Sequence, residues 1–528
     1  MNINKHVNDN EIQTLSTIID QCIRTGTREN LVTTVTPYVD NNLIFGSISS
    51  KASFYYILGN AFDYIYNNNT NDYFSENSGK ALVCFRKALH ELSKLERTEE
   101  VLQLESCIKT NAANNISSLG RLLEGTEALQ KQYSKGQPVA ILGITRNLIS
   151  TSTLLLDQKH ILKYYKEAYY SALKCDNIIN YDDSYSGTIS EGSIIHNFKT
   201  WYEKELLPLE IDLEDYKENY HSNIEADFKR WCGSNKLFLN PLNSLNNSSE
   251  FFYDFIPFPS VRIGIDDSVK MNISDELIYH YAFDEIITSF IYARNLLFSA
   301  IYQLEDPLKF TFQDLEQTDC LDGSILDKSS EDLKSSYRIA FSILDKIAYL
   351  LHRYYNIFDL SKDQDADFKK VFIKGKKESQ NINNKIDSGN IFLAALFNIL
   401  RDLRDVQRLK EESPSKWLDP ESETIVEIRN HIEHRSIKVI DDIFASCFPT
   451  PPNSNERPDE QERHIIKRKN HSLEINRSAL EKKSVQLLKL VRNSIIYLNL
   501  AIGLTEKKNQ EKNPNSISIK NSVPKKKR

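Results

Sequence analysis

Only sixteen glycines and fifteen prolines interrupt the 528 residues, too few turn-formers for an architecture of many short strands, so long helices are expected. Cysteine is scarce and scattered. The seven (Cys22, Cys84, Cys107, Cys175, Cys232, Cys320 and Cys447) form no CxxC pair and have no histidine at zinc-ligand spacing. A reducing compartment, no metal site and no cofactor are the expectation. No run of eighteen apolar residues occurs, and the opening MNINKHVNDNEIQ has no apolar core of the kind a signal peptide needs. That excludes a membrane partner on sequence grounds and points to the cytoplasm. No glycine-rich nucleotidyltransferase element is present, which argues against nucleotide transfer. Excess positive charge is lacking as well: with a net charge of −7, any nucleic-acid binding must use a local patch.

What remains is 40% hydrophobic and 26% charged, an ordinary soluble composition, over a length that suggests roughly two to four domains. The expected fold class is all-α. Residues 1–180 read as a solenoid of helical repeats. Leu58-Gly59, then Ala81, Phe85 and Ala88, follow tetratricopeptide (TPR) spacing, and Leu119-Gly120, Leu142-Gly143, Ala168 and Ala172 repeat the small-residue signal. Small residues at such points let two helices approach closely, and solenoids present concave surfaces to peptides or partner proteins. The polar insertion Asn67-Asn68-Asn69-Thr70 is placed at a loop tip.

Residues 181–270 lose helical periodicity. Leu237-Phe238-Leu239-Asn240-Pro241-Leu242-Asn243 and Phe255-Ile256-Pro257-Phe258-Pro259 are apolar clusters broken by proline, which argues against central strands; an ordered connector is expected, with Cys232 as packing rather than nucleophile. From residue 271 to 505 the helical pattern returns. Helices are expected at about 274–305, 330–358, 388–411 and 421–446, then a proline-rich loop from Phe448 to Pro458 and a last helix at about 475–505, together a four-helix bundle with one appended helix. Residues 506–528, ending in Pro524-Lys525-Lys526-Lys527-Arg528, read as a disordered tail.

The densest chemistry lies in Glu427-Ile428-Arg429-Asn430-His431-Ile432-Glu433-His434-Arg435, which holds two of the chain's eleven histidines. On a helical wheel, Ile425, Ile428, Ile432 and Val439 share one stripe facing the core, while Asn430 and His434 point almost the opposite way. Arg429 lies roughly 140° from His434 on that wheel, but its long stem can bring the guanidinium round. Residues 429–438 carry Arg429, Arg435 and Lys438 against the single carboxylate Glu433, a modest basic patch. The same residues also describe plainer things: Arg429 and Glu433 at i,i+4 are spaced as a surface ion pair, and His434 as a solvated side chain.

Arginine, asparagine, three residues and histidine, on the fourth helix of a C-terminal bundle, resemble the signature of HEPN-superfamily ribonucleases. The flanking Trp231-Cys232 and Leu237 to Asn243 elements resemble the subfamily in which TPR-like repeats precede the HEPN domain. The resemblance implies a metal-independent endoribonuclease in which Arg429, His434 and Asn430 act on RNA. His434 suits proton transfer because imidazole titrates near neutrality; Arg429 suits the phosphate because its guanidinium stays charged and grips in two places. His431, nearer the core side, is a second-rank candidate. Asp345, Glu285 and Arg294 resemble subfamily positions and are auxiliary candidates, each equally readable as a solvated or ion-paired helix residue. The resemblance further implies a homodimer with two motifs facing each other, and a regulated toxin or anti-phage defence effector with the repeats as sensor. A non-catalytic interaction scaffold, or a nucleotide-binding protein with a vestigial motif, is the alternative; the intact Arg-Asn and His set argues for catalysis.

Overall fold

The computed structural model describes residues 4–39, 42–67, 77–178, 185–209, 222–245, 253–263, 273–302, 304, 323–357, 366–374, 381–382, 384–403, 420–443, 466–469, 472–512 and 517–518. The fold is all-α. The first half runs through α1 (Asp9–Thr25), α2 (Arg28–Val39), α3 (Ile48–Asn67), α4 (Asn77–Leu92), α5 (Glu99–Ser118), α6 (Leu122–Ser134), α7 (Ala140–Ser152) and α8 (Gln158–Cys175). The short α9 (Ser186–Ile189), α10 (Ile194–Glu205) and α11 (Asn223–Ser234) follow. The second half is built from α12 (Ile273–Ile301), α13 (Lys328–Tyr355), the short α14 (Phe368–Phe372), α15 (Ile391–Leu403), α16 (Pro420–His434) and α17 (Arg477–Lys512). Two-stranded ribbons pair β1 (Asn4–Val7) with β2 (Asn42–Phe45), β3 (Arg262–Ile263) with β9 (Ile517–Ser518), and β4 (Ile373–Lys374) with β5 (Asn381–Ile382). The remaining strands, β6 (Ser436–Ile440), β7 (Ile466–Lys469) and β8 (Ser472–Asn476), form one sheet in the order β6-β8-β7.

Consecutive helices of the first half pack side by side, α3 on α4 and so on through α7 on α8. The small residues act where expected. A Cβ at Gly59 would meet the Phe85 ring at 2.6 Å, and one at Gly143 would meet Asn114 Oδ1 at 2.3 Å, so both permit close helix approach. Gly120 has a different reason: it turns from α5 into α6 with φ +86°, and a Cβ there would lie 2.1 Å from the Ile391 carbonyl oxygen of the second half. The cores do not part near residue 180. One apolar cluster gathers α1 to α5, from Val7 to Leu119, whereas α6 to α8 share a cluster with the connector and the bundle, from Ala113 to Ile502. Polar bonds fix that junction: Arg121 pairs with Asp402, the Tyr497 hydroxyl donates to Glu124, and Leu123 N donates to Tyr497 Oη at 3.0 Å. Residues 68–70 of the polar insertion lie outside the described residues.

The connector is held as backbone. Arg492, fully buried on α17, donates from Nε to the Phe238 carbonyl at 2.8 Å, from Nη2 to the Asn240 carbonyl at 2.7 Å and from Nη1 to Ser244 Oγ at 2.8 Å. Burial pulls its pKa down to about 10. Tyr164 of α8 donates to the Pro241 carbonyl at 2.9 Å, and a proline there costs nothing because no sheet ladder needs its missing N–H. Cys232 is buried, and that burial pushes its thiol up to about 12, so it packs and does not react.

Beside it Lys236, in the left-handed region at φ 55°, sets its ammonium 3.2 Å from the Ser244 carbonyl. Burial lowers its pKa from 10.5 to about 8, against the raising pull of Glu127 and with Lys489 and Arg492 lowering it further. A lysine depressed in the folded state binds fewer protons there than when unfolded between those two values, so stability rises with pH across that window. Melting temperatures from about pH 7.5 to 9.5 are expected to climb more for the wild type than for Lys236→Met, in which this proton linkage is gone; parallel curves would contradict the assignment.

In the bundle, α17 is the central helix. It is long and apolar enough by composition to cross a membrane, yet 78% of its most apolar window is buried inside the protein, where it packs against α12, α13 and α15. Two expectations are corrected here. The motif helix stops at His434 and not near 446, because Ser436-Ile437-Lys438-Val439-Ile440, rich in β-branched residues, extends as β6 and pairs in parallel with β8, Ser436 opposite Ser472 through Ile440 opposite Asn476. Val439 is buried as expected, but from a strand. The last helix continues to Lys512, past the expected start of the disordered tail, and Ile517–Ser518 pair with Arg262–Ile263. The stretch expected to extend the third bundle helix to 411, the proline-rich loop from 448 to 458, Cys320, Cys447 and the basic terminus 524–528 lie outside the described residues.

Candidate active site

The helix α16 is anchored by its apolar stripe. Ile425 and Ile428 are buried and Ile432 packs against the same core, while the Tyr337 hydroxyl on α13 donates to the Ile425 carbonyl at 2.8 Å. At the other end the helix passes directly into β6, and β8 leads directly into α17. His431 braces that change of direction: it is 8% exposed, with Nδ1 3.0 Å from the Ser436 carbonyl oxygen. A carbonyl only accepts, so Nδ1 carries the proton and donates. The second-rank candidate is thus occupied as a bracket on the helix-to-strand turn.

Held this way, the last turn of α16 displays Asn430 and His434 to solvent, with Arg435 exposed just beyond it. Arg429 does come round. Its Nη1 lies 3.4 Å from His434 Nε2 and 3.2 Å from Asn430 Oδ1, and its guanidinium carbon sits 5.3 Å from the centroid of the Phe341 ring on α13. Guanidinium has no acceptor, so in this contact Nε2 accepts and the imidazole proton sits on Nδ1. Both contacts are long, so Arg429 leans on its neighbours without being saturated by them. Asn430 touches the arginine; the imidazole is contacted by Arg429.

Several cations of α13 are paired within the protein. Lys334 pairs with Glu331 at 2.7 Å, Arg338 with Glu433 at 3.4 Å, and Lys346 with Glu285 at 2.7 Å. Among the described residues, neither Arg429 nor Arg435 has an ion-pair partner. A guanidinium left without a carboxylate beside an exposed imidazole is an arrangement suited to an anion.

The auxiliary candidates are dispersed. Glu285 spans from α12 to Lys346 on α13, whose ammonium also reaches Ser289 Oγ at 2.9 Å. Asp345 lies on α13 one turn beyond Phe341, half-buried. Arg294 is buried and turned to the connector: Nη1 and Nη2 reach the two carboxylate oxygens of Asp254 at 2.8 and 2.7 Å, and Nη1 also reaches the Leu237 carbonyl at 2.9 Å. It is a structural tie. Sequence reasoning missed Phe341 and Arg338, which carry no motif; their i,i+3 spacing puts them on one face of α13, but nothing in the sequence ties that face to the motif. Among the described residues no three His, Cys, Asp or Glu side chains converge as a set that could hold a metal ion.

Comparison with known proteins adds one match. Residues 271–505 match the family model described as LA2681-like HEPN, so the C-terminal part of the chain carries a HEPN-superfamily domain. Nothing among the curated proteins or the solved structures matches this chain.

Proposed function

We propose, from the premise of a C-terminal HEPN domain, that this protein is a metal-independent endoribonuclease acting through Arg429 and His434, with Asn430 in support. The observation that carries this reading is the meeting of an exposed imidazole with a guanidinium that has no carboxylate partner among the described residues, Nε2 to Nη1 at 3.4 Å. RNA brings its own nucleophile. His434 Nε2 takes the proton of a 2′-OH, O2′ attacks the adjacent phosphorus, and the bond to the 5′-oxygen breaks. The leaving oxygen acquires a proton, giving a 5′-OH and a 2′,3′-cyclic phosphate. Arg429 lies against the non-bridging oxygens as charge gathers on them. In the resting contact Arg429 covers the very lone pair that must act as base, so an arriving phosphate that draws the guanidinium away also uncovers Nε2.

Proton removal and proton delivery call for two groups, and the exposed motif supplies one. A second copy facing the first completes the set in this reading, making the active form a homodimer. The N-terminal helices serve as the regulatory half, binding a protein or peptide partner that licenses cleavage in a cytoplasmic toxin or anti-phage effector. Their support is physical continuity: α6 shares its core with the bundle, Arg121 at its start pairs with buried Asp402 of α15, and Glu127 of α6 pairs with the partly exposed Lys489 of α17.

Purified full-length protein incubated with total RNA and EDTA tests this. Fragments are expected from the wild type and not from His434→Ala. Fragments from both proteins, or from neither, would contradict it.

A further inference from the structure

Arg429 and Glu433 stand four residues apart on α16, the spacing at which arginine and glutamate on one helix ordinarily pair. No ion pair joins them among the described residues. Glu433 Oε1 instead lies 3.4 Å from Arg338 Nε on α13, and Arg429 lies over the ring of Phe341, also on α13. Arg338 and Phe341, three residues apart, are neighbours on one face of that helix. One turn of α13 therefore takes the two motif side chains separately: its cation draws off the carboxylate, and its ring supports the guanidinium by its negative face.

We propose that Arg338 and Phe341 are positioning residues that keep Glu433 off Arg429, so that the guanidinium meets the substrate phosphate with its charge uncompensated. The proposal rests on the ribonuclease reading and assigns the regulation of charge at that site. Were Glu433 released, Arg429 one turn earlier on the same helix would be within its reach. The resulting pair would be close to neutral, and a carboxylate beside the phosphate would repel it. Nothing in the motif itself prevents this; the second helix does. Phe341 is nearly fully buried, so its ring is a fixed support, whereas Arg338 is half-exposed and acts through a screened, modest interaction.

The test is a double-substitution cycle in the full-length protein, read on a single-stranded oligoribonucleotide. Arg338→Ala is expected to lower kcat/KM by about two- to fivefold, the scale of one exposed ion pair, and the loss should narrow in high salt. Adding Glu433→Gln is expected to restore the rate in the Arg338→Ala background far more than it changes the wild type, a non-additivity that a merely structural role does not give. Phe341→Leu should lose activity and Phe341→Tyr, which keeps the ring, should retain it. An unchanged Arg338→Ala, or a double variant as slow as the single one, overturns the proposal. Should the wild type cut no RNA, the ribonuclease reading fails, and a crystal structure of Arg338→Ala decides the positioning alone. Glu433 in ion-pair contact with Arg429 supports it; Glu433 turned to solvent with Arg429 still over Phe341 overturns it.

Discussion

Replacing His434 with alanine is expected to lower RNA cleavage by about a hundred- to ten-thousandfold, the usual worth of a positioned acid or base, while leaving the melting temperature unchanged. The side chain is exposed and its contact is the 3.4 Å approach of Arg429, so little packing is lost with it. Arg429→Ala is expected to cost about a hundred- to a thousandfold, as removal of a preorganised charge from a transition state does. Arg429→Lys separates charge from shape: an ammonium keeps the former and loses the planar fork that meets two phosphate oxygens at once, so partial activity is expected. His431→Ala serves as the contrast. Its Nδ1 already donates to the Ser436 carbonyl, so the expected result is a less stable protein whose surviving folded fraction still cuts. Gel-resolved initial rates beside thermal melts distinguish the two histidines; equal loss of activity without loss of stability in both would refute the division of roles.

The largest stability effect is expected far from the motif, at Asp254. Arg294 is buried among Phe228, Phe238 and Phe290, whose ring centroids lie 5.4, 5.2 and 5.8 Å from its guanidinium carbon. Its charge is tolerated there because Asp254 meets it with both oxygens, one of which also accepts from Leu239 N at 2.7 Å. The guanidinium stays charged on this account: burial works against it most strongly, and the Asp254 hydrogen bonds and charge more than offset that, raising its pKa. Asp254→Ala leaves the cation buried and unpaired, at an expected cost of about 3–5 kcal/mol. Adding Arg294→Leu to Asp254→Ala removes the stranded charge and should recover part of the loss. Chemical denaturation followed by circular dichroism measures both; a single substitution as mild as the double one would contradict the buried-pair account.

Much of the architecture follows from spacing alone. The apolar stripes of α12 and α13 are short-range facts written into three- and four-residue intervals, and small residues mark Gly59 and Gly143 as points of close helix approach, although the partners there, Phe85 and Asn114, sit on other helices. The outward display of Asn430 and His434 is equally local, since one helical turn decides it. What spacing does not carry is which distant segment answers a given side chain. Ile432 and Val439 lie seven apart, an interval a helix and a helix-to-strand turn satisfy equally, and only the parallel partner Leu473–Ile475 in β8 decides for the strand. Arg492 and the Leu237 to Ser244 stretch explain each other, but neither has meaning without the other. Gly120 resembles a repeat signal and is in fact shaped by Ile391 of the bundle. Phe341 and Arg338 act on the motif from another helix, so no reading of the motif alone reaches them.

In the proposed reaction His434 and Arg429 make a 2′-hydroxyl attack the adjacent phosphate. An oligoribonucleotide cut at one mapped bond, compared with the same strand carrying a single 2′-deoxy sugar on the 5′ side of that bond, tests this most directly. Cleavage of the first to a 2′,3′-cyclic phosphate and a 5′-OH in the presence of EDTA, with that bond intact in the second, is the expected result. Cutting of the deoxy-substituted bond, or 5′-phosphate ends from either strand, would contradict it.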